Sequence, residues 1–150
     1  MAEEIEGNAF CECSKLKTIN IPKLTKIEAQ TFVACVNLKE VDLSNVKVIR
    51  ERAFVNCRNL RVKNFEISVA EEIGEEAFRG CKSLVKVNLP QVKTIGRLAF
   101  QFCSHLESVE IPAIENLYDE AFWFCEVLTN IDPYNEPYEL LKKLKNPTLY

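Results

Sequence analysis

The sequence predicts an α/β fold of one kind: a right-handed solenoid, with short parallel strands on a concave face and turns, 3₁₀ segments or short helices on the convex face. Three observations predict it. Phe10, Phe32, Phe54, Phe78, Phe100 and Phe122 recur at intervals of 22, 22, 24, 22 and 22 residues. A cysteine follows each after three positions: Cys13, Cys35, Cys57, Cys81, Cys103 and Cys125. Between these segments lies an alternating apolar pair: Ile19 and Ile21, Val41 and Leu43, Val87 and Leu89, Val109 and Ile111. Self-similarity at such a period marks units that stack on their neighbours because none can bury its oily side alone.

Each element has a physical reason. Alternation with β-branched residues predicts a short strand with one buried face. A strand this short is unstable alone, but stacked copies form a parallel sheet with rungs about 4.8 Å apart. Pro22, Pro90 and Pro112 end the strands where no ladder donor is needed. A small residue precedes most of the phenylalanines (Ala9, Ala53, Ala77, Ala99, Ala121, with Thr31 the exception), and a leucine follows each cysteine by three. The Ala-Phe-x-x-Cys stretch predicts a tight helical or 3₁₀ turn on the convex side. Each unit closes with two further apolar positions, such as Leu24 and Ile27, or Val92 and Ile95. Counting back from Ile73 through Ala70, Ile67 and Phe65 places the two extra residues of the third unit between Cys57 and Phe65, as a bulge at the rim before the strand.

The runs Ile95-Gly96-Arg97-Leu98-Ala99-Phe100-Gln101-Phe102-Cys103-Ser104-His105-Leu106 and Ile73-Gly74-Glu75-Glu76-Ala77-Phe78-Arg79-Gly80-Cys81-Lys82-Ser83-Leu84 resemble the BspA-type leucine-rich repeat. The likeness recurs six times over about residues 5–131. It implies a leucine-rich-repeat solenoid, here a single domain over 1–150 with six units of 22–24 residues and a C-terminal cap at 132–150. The family is associated with surface proteins of oral bacteria and mucosal protists and with binding of host proteins. The resemblance therefore implies a non-enzymatic binding module, with a fragment of a cell-surface adhesin as the alternative.

Composition narrows the classes further. Nineteen Lys and Arg against 22 Asp and Glu give a net charge of -3, without the basic footprint of a nucleic-acid binder. No run of eighteen apolar residues spans a membrane. Free cysteines and an acidic start without an apolar export segment favour a cytoplasmic location; a cell-surface location follows if the chain is a fragment.

Six of the seven cysteines share one register, which predicts a buried ladder of free thiols rather than disulfides or a metal site. Cys11, one residue after Phe10, predicts a partly exposed thiol. The lone His105 lies two residues after Cys103, but its column, with Lys15, Asn37, Asn59 and Ser83, reads as solvent-facing. A cysteine-dependent enzyme built on Cys103 and His105 is the least favoured reading. No catalytic residue, metal ligand or cofactor site is expected.

Binding is expected on the concave face. The residue between each buried pair forms the column Asn20, Asp42, Glu66, Asn88, Glu110 and Asp132, four carboxylates and two amides. It is either a solubilising surface or an acidic stripe for a basic protein partner. The flanking column, Thr18, Glu40, Asn64, Lys86, Ser108 and Asn130, is mixed. Phe102, Trp123 and Phe124 form either an aromatic contact patch or the seat of a cap. Residues 137–145, with Leu140, Leu141 and Leu144 on one face, predict the capping helix. The first coil enters at Ile5 with nothing evident to cover it, which predicts a fragment or an end-to-end homodimer.

Overall fold

A computed structural model describes residues 5–61, 65–118 and 120–132. They contain β1 (Thr18–Ile19), β2 (Lys26–Ile27), β3 (Glu40–Val41), β4 (Val48–Ile49), β5 (Phe65–Glu66), β6 (Glu72–Ile73), β7 (Lys86–Asn88), β8 (Thr94–Ile95), β9 (Ser108–Glu110), β10 (Asn116–Leu117) and β11 (Asn130–Asp132). Every pairing among them is parallel and joins one coil to the next. The odd strands form a first sheet face, in two blocks, β1-β3 and β5-β7-β9-β11; the even strands form a second, continuous face, β2-β4-β6-β8-β10. The molecule is a parallel β-solenoid whose outline has two hydrogen-bonded faces where the sequence reading expected one.

The second face grows from the closing apolar positions of each unit. Ile27, Ile49, Ile73 and Ile95 point inward and are buried, while Lys26, Val48, Glu72 and Thr94 point outward. Strands of two residues carry no alternation to read, so the sequence revealed their buried half and not their pairing.

The break in the first face brackets the long third unit. Arg61 N–H still donates to Lys39 O of the preceding coil at 2.9 Å, and Phe65 pairs in register with Val87 of the following one. The additional residues therefore fall between Arg61 and Phe65. The expected bulge itself lies at 62–64, outside the described residues.

The third side is built of turns, one of the forms the sequence allowed, and no helix occurs among the described residues. The cause is an alternation of axial and local hydrogen bonds, with two left-handed residues four positions apart in each of the first five coils. Asn8, Gln30, Arg52, Glu76 and Leu98 hold φ between 54° and 64°; Glu12, Ala34, Asn56, Phe102 and Phe124 hold φ of 55–61°, and Gly80 73°. In the second coil, N–H groups of Gln30, Phe32 and Ala34 run along the solenoid axis to Glu51, Ala53 and Val55 carbonyls at 2.8–3.1 Å. Those of Thr31, Val33 and Cys35 close local turns onto Glu28, Gln30 and Phe32 at 3.1–3.4 Å. Helix propagation needs successive right-handed residues, which this alternation denies. A left-handed non-glycine residue costs about 1–2 kcal/mol. Each axial hydrogen bond returns about 1 kcal/mol, and seating a phenylalanine returns about 1.5–3 kcal/mol more.

The core runs the length of the described chain. The six repeat phenylalanines stack in one column, with centroids 5.1–5.4 Å apart and planes within 13°. All but Phe10 are fully buried. Thr31 fits the alanine column because its hydroxyl donates to Glu28 O at 2.7 Å, leaving no buried polar atom unpaired. Phe78→Ala removes a ring packed on both faces and is expected to cost about 3–5 kcal/mol, measured by urea unfolding. Phe10→Ala, at a half-buried end of the column, is expected to cost less than half as much.

Candidate functional site

The cysteine column is structural. The carbonyls of Phe10, Phe32, Phe54, Phe78 and Phe100 each accept two donors: the N–H of the cysteine three residues on, and the thiol of the cysteine in the next coil. Phe32 O takes Cys35 N–H at 3.1 Å and Cys57 Sγ at 3.0 Å. Phe54, Phe78 and Phe100 carbonyls repeat this with Cys81, Cys103 and Cys125 thiols at 3.1–3.3 Å. A small apolar side chain with a weak donor suits a site that is dry except for one acceptor. All seven cysteines are free; Cys11 and Cys13 are half-buried and the rest buried. Burial pushes the Cys35 thiol up to about 11, and raises those of Cys57, Cys81 and Cys103 well above the ordinary thiol value. Thiols held protonated are poor nucleophiles and poor metal ligands. No cluster of three or more His, Cys, Asp or Glu gathers among the described residues.

Cys103 and His105 do not meet as a pair. Cys103 donates inward to Phe78 O, whereas His105 Nδ1 lies outside, 2.7 Å from Lys82 O of the preceding coil. The histidine's column, read from sequence as merely solvent-facing, has a task. Asn37, Asn59 and Ser83 donate to Ser14, Val36 and Arg58 carbonyls at 2.8–3.0 Å. The available signal was that each of these side chains is a donor.

The candidate column of the first face is in register where its strands pair. Glu66 lies opposite Asn88, Asn88 opposite Glu110, and Glu110 opposite Asp132. Asn20 and Asp42 follow the paired residues Ile19 and Val41 and line one shallow depression with Thr18 and Glu40. Asn20, Asp42, Glu110 and Asp132 are exposed and Asn88 is half-buried. Asp42 accepts Ser44 N–H at 2.9 Å, which lowers its pKa and ties it to the turn behind the strand. Four carboxylates elsewhere on the molecule are held in ion pairs. Glu28 pairs with Lys26, Glu76 with Arg52 at 3.2 Å and Arg79 at 3.5 Å, Glu115 with Lys93 at 3.5 Å, and Glu120 with Arg97. Asp42, Glu110 and Asp132 have no ion pair among the described residues.

The three aromatic candidates separate into two environments. Phe102 and Phe124 stack at 4.8 Å on the turn side, each 39% exposed. Trp123 is half-buried in the neighbouring column, edge-on to Phe124 at 6.4 Å, and its buried Nε1 meets no partner among the described residues. The predicted capping helix at 137–145 lies outside the described residues. At the other end, Ile5, Phe10, Cys13, Leu16, Ile19 and Ile21 are only partly buried, unlike most of their counterparts in later coils.

A two-sheeted parallel solenoid with a phenylalanine stack and an outward polar column is a repeat scaffold. The chain belongs to the BspA-type leucine-rich repeat family: the sequence profile described as "BspA type Leucine rich repeat region" matches residues 1–71 and 62–143 in six copies. No curated protein sequence matches it. Among solved structures it is similar to the leucine-rich repeat protein TpLRR of T. pallidum, at 30% identity and a TM-score of 0.77, over 94% of this chain and 77% of that one. It is also similar to a leucine-rich cell surface protein of Faecalibacterium prausnitzii A2-165, at 30% identity and a TM-score of 0.70, over 85% of this chain and 34% of that one. A leucine-rich repeat protein of Bacteroides ovatus, 23% identical with a TM-score of 0.52, shares the fold over 85% of this chain and 40% of its own. No described helix is long and apolar enough to cross a membrane.

The thiol column can be checked in two ways. In the native protein, Ellman's reagent is expected to titrate Cys11 and Cys13 quickly and the other five only on unfolding; a third fast thiol would break the ladder assignment. The Cys35 pKa is raised in the folded state from 9.0 to about 11, so its share of stability is whole below pH 9 and is lost as pH rises through about 11. Urea midpoints are expected to fall across that window, and to fall less in Cys35→Ala.

Proposed function

We propose that this protein is a protein-interaction module that captures a basic partner on its first sheet face. One observation carries the reading: the column Asn20, Asp42, Glu66, Asn88, Glu110 and Asp132 holds four carboxylates and no cation, and sets Glu110 and Asp132 on neighbouring rungs without an ion pair among the described residues. Like charges on neighbouring rungs repel, which a purely solubilising surface would avoid by alternating signs. A lysine- or arginine-bearing segment lying across the rungs relieves that repulsion, and its charge steers encounter. The reading involves no chemistry on the partner.

The test uses a labelled lysine-rich peptide and the triple variant Asp42→Asn, Glu110→Gln, Asp132→Asn, in which the new amide at position 42 keeps an acceptor for Ser44. Three exposed pairs at about 0.5 kcal/mol each correspond to a loss of roughly tenfold in affinity. Binding to the wild type is expected to weaken with added salt. Equal affinity for the triple variant, with its fold intact by circular dichroism, would sink the proposal.

A second reading, a repeat segment of a cell-surface adhesin, is favoured by the likeness to the cell surface protein of F. prausnitzii, of which this chain spans about a third. The complete reading frame tests it: an export signal or surface anchor supports the adhesin, and a start and stop flanking these 150 residues removes it.

A further inference from the structure

We propose that the turn side carries a second interaction site, a slot at Gly80 that takes an acidic peptide segment bearing an aromatic residue at the end nearer the last coil. The site begins with a missing side chain. Asn56, Gly80, Phe102 and Phe124 occupy one column of left-handed residues on successive coils. Phe124 covers one face of the Phe102 ring at 4.8 Å. On the other side the rung belongs to Gly80, so the column opens between Asn56 and Phe102, roughly 10 Å apart at two rung spacings. A Cβ at Gly80 would lie 2.5 Å from Asn56 Oδ1, so the column cannot be filled at this rung without moving the amide. The resulting cavity, about 300 Å³, is bordered by Arg58, Arg79, Lys82 and Ser104 as well as by the rings.

The walls divide by chemistry along the solenoid axis. Arg58 and Lys82 stand on successive coils in one column, exposed, with no ion pair among the described residues. Arg79 is pinned beside them: its Nε donates to Gln101 Oε1 at 2.7 Å, and its guanidinium carbon sits 5.7 Å from the Phe102 centroid. In a chain of net charge -3 this is a local positive field with an apolar floor. Carboxylates fit Arg58 and Lys82 through charge-assisted hydrogen bonds, while Arg79, already shared with Glu76 at 3.5 Å, forms the wall beside Phe102. An incoming ring fits across the outward edges of Phe102 and Phe124, the edge-to-face geometry aromatic pairs favour. Glu126 lies two coils beyond Lys82 on the same border and repels acid there, so the acidic part of the segment lies over Arg58 and its ring over Phe124.

The site is on a different side of the molecule from the acidic column and does not depend on it. Fluorescence anisotropy with the labelled peptide Glu-Glu-Asp-Gly-Phe-Phe tests it, with Lys-Lys-Lys-Gly-Phe-Phe as the counterpart. Saturable binding of the acidic peptide is expected. It should fall at least tenfold in the double variant Arg58→Glu, Lys82→Glu, fall several-fold in Phe102→Ala, and stay unchanged in Lys93→Gln, outside the slot. Gly80→Leu should abolish binding; if its backbone strain unfolds the chain, the charge-reversal variant, on exposed positions, decides. The lysine peptide should keep its affinity for the opposite face in that variant, which separates failure here from failure of the first-face reading. No saturable binding, or equal affinity after charge reversal, overturns the proposal.

Discussion

Every coil must satisfy its backbone on the coils beside it, and this one demand organises the rest of the molecule. Strands of two or three residues and a chain of alternating-hand turns have too few internal partners to bury polar groups unaided. The partners come from one rung away, on all three sides of the coil. Once the backbone repeats at that spacing, like side chains are brought over like. The phenylalanine stack and the thiol column are consequences of that registry. The dual acceptance at the Phe carbonyls of the first five coils ties them together, since one oxygen closes the turn of its own coil and receives the thiol of the next.

The same registry explains which parts of the structure were legible in the sequence. A position buried in every coil admits few residue types, so Phe and Cys return at fixed intervals and expose the period. The first-face strands were legible because Val87 and Leu89, or Val109 and Ile111, alternate around an outward residue. The second face was not, because two residues cannot alternate. The left-handed positions were nearly silent: Leu98, Phe102, Arg52 and Glu76 are residue types that ordinarily avoid positive φ, and only Gly80, Asn8 and Asn56 hinted at the geometry. Axial hydrogen bonding imposes the hand on residues that would not choose it. The Ala-Phe-x-x-Cys run, read from sequence as a tight helical or 3₁₀ turn, therefore folds as turns with left-handed residues at its ends.

Sites were less legible than the fold for a related reason. Outward columns are free to vary, so a functional column and a merely soluble one look alike in a single sequence. What three dimensions add is which charges are compensated and which stand side by side. Glu76, surrounded by Arg52 and Arg79, is absorbed into the surface, whereas Glu110 and Asp132, side by side in register, are not. His105 is the reverse case. As the lone histidine, two residues from a cysteine, it invites a catalytic reading, yet its ring serves the same carbonyl-binding purpose as asparagine and serine in neighbouring coils. Chemistry-bearing residue types are informative here only after the column they belong to is known.

The turn ladder also gives the scaffold a direction. Peptide groups of successive coils, such as that joining Thr31 to Phe32, point their carbonyls toward the first coil and their N–H groups toward the last: Phe10 N–H meets Thr31 O, and Phe32 N–H meets Ala53 O. Three such groups per coil align as peptide dipoles do along a helix, though their bonds run between coils. The first coil consequently presents carbonyls at its outer edge, beside the partly buried Phe10 and Leu16. Whatever covers that edge must bring donors in the same phase, as a preceding coil does. Two copies meeting first coil to first coil would set acceptor against acceptor along the whole turn side. An end-to-end pairing of this scaffold through its ladder therefore has to run head to tail, and a symmetric pair would have to be held by the sheet edges and apolar side chains alone.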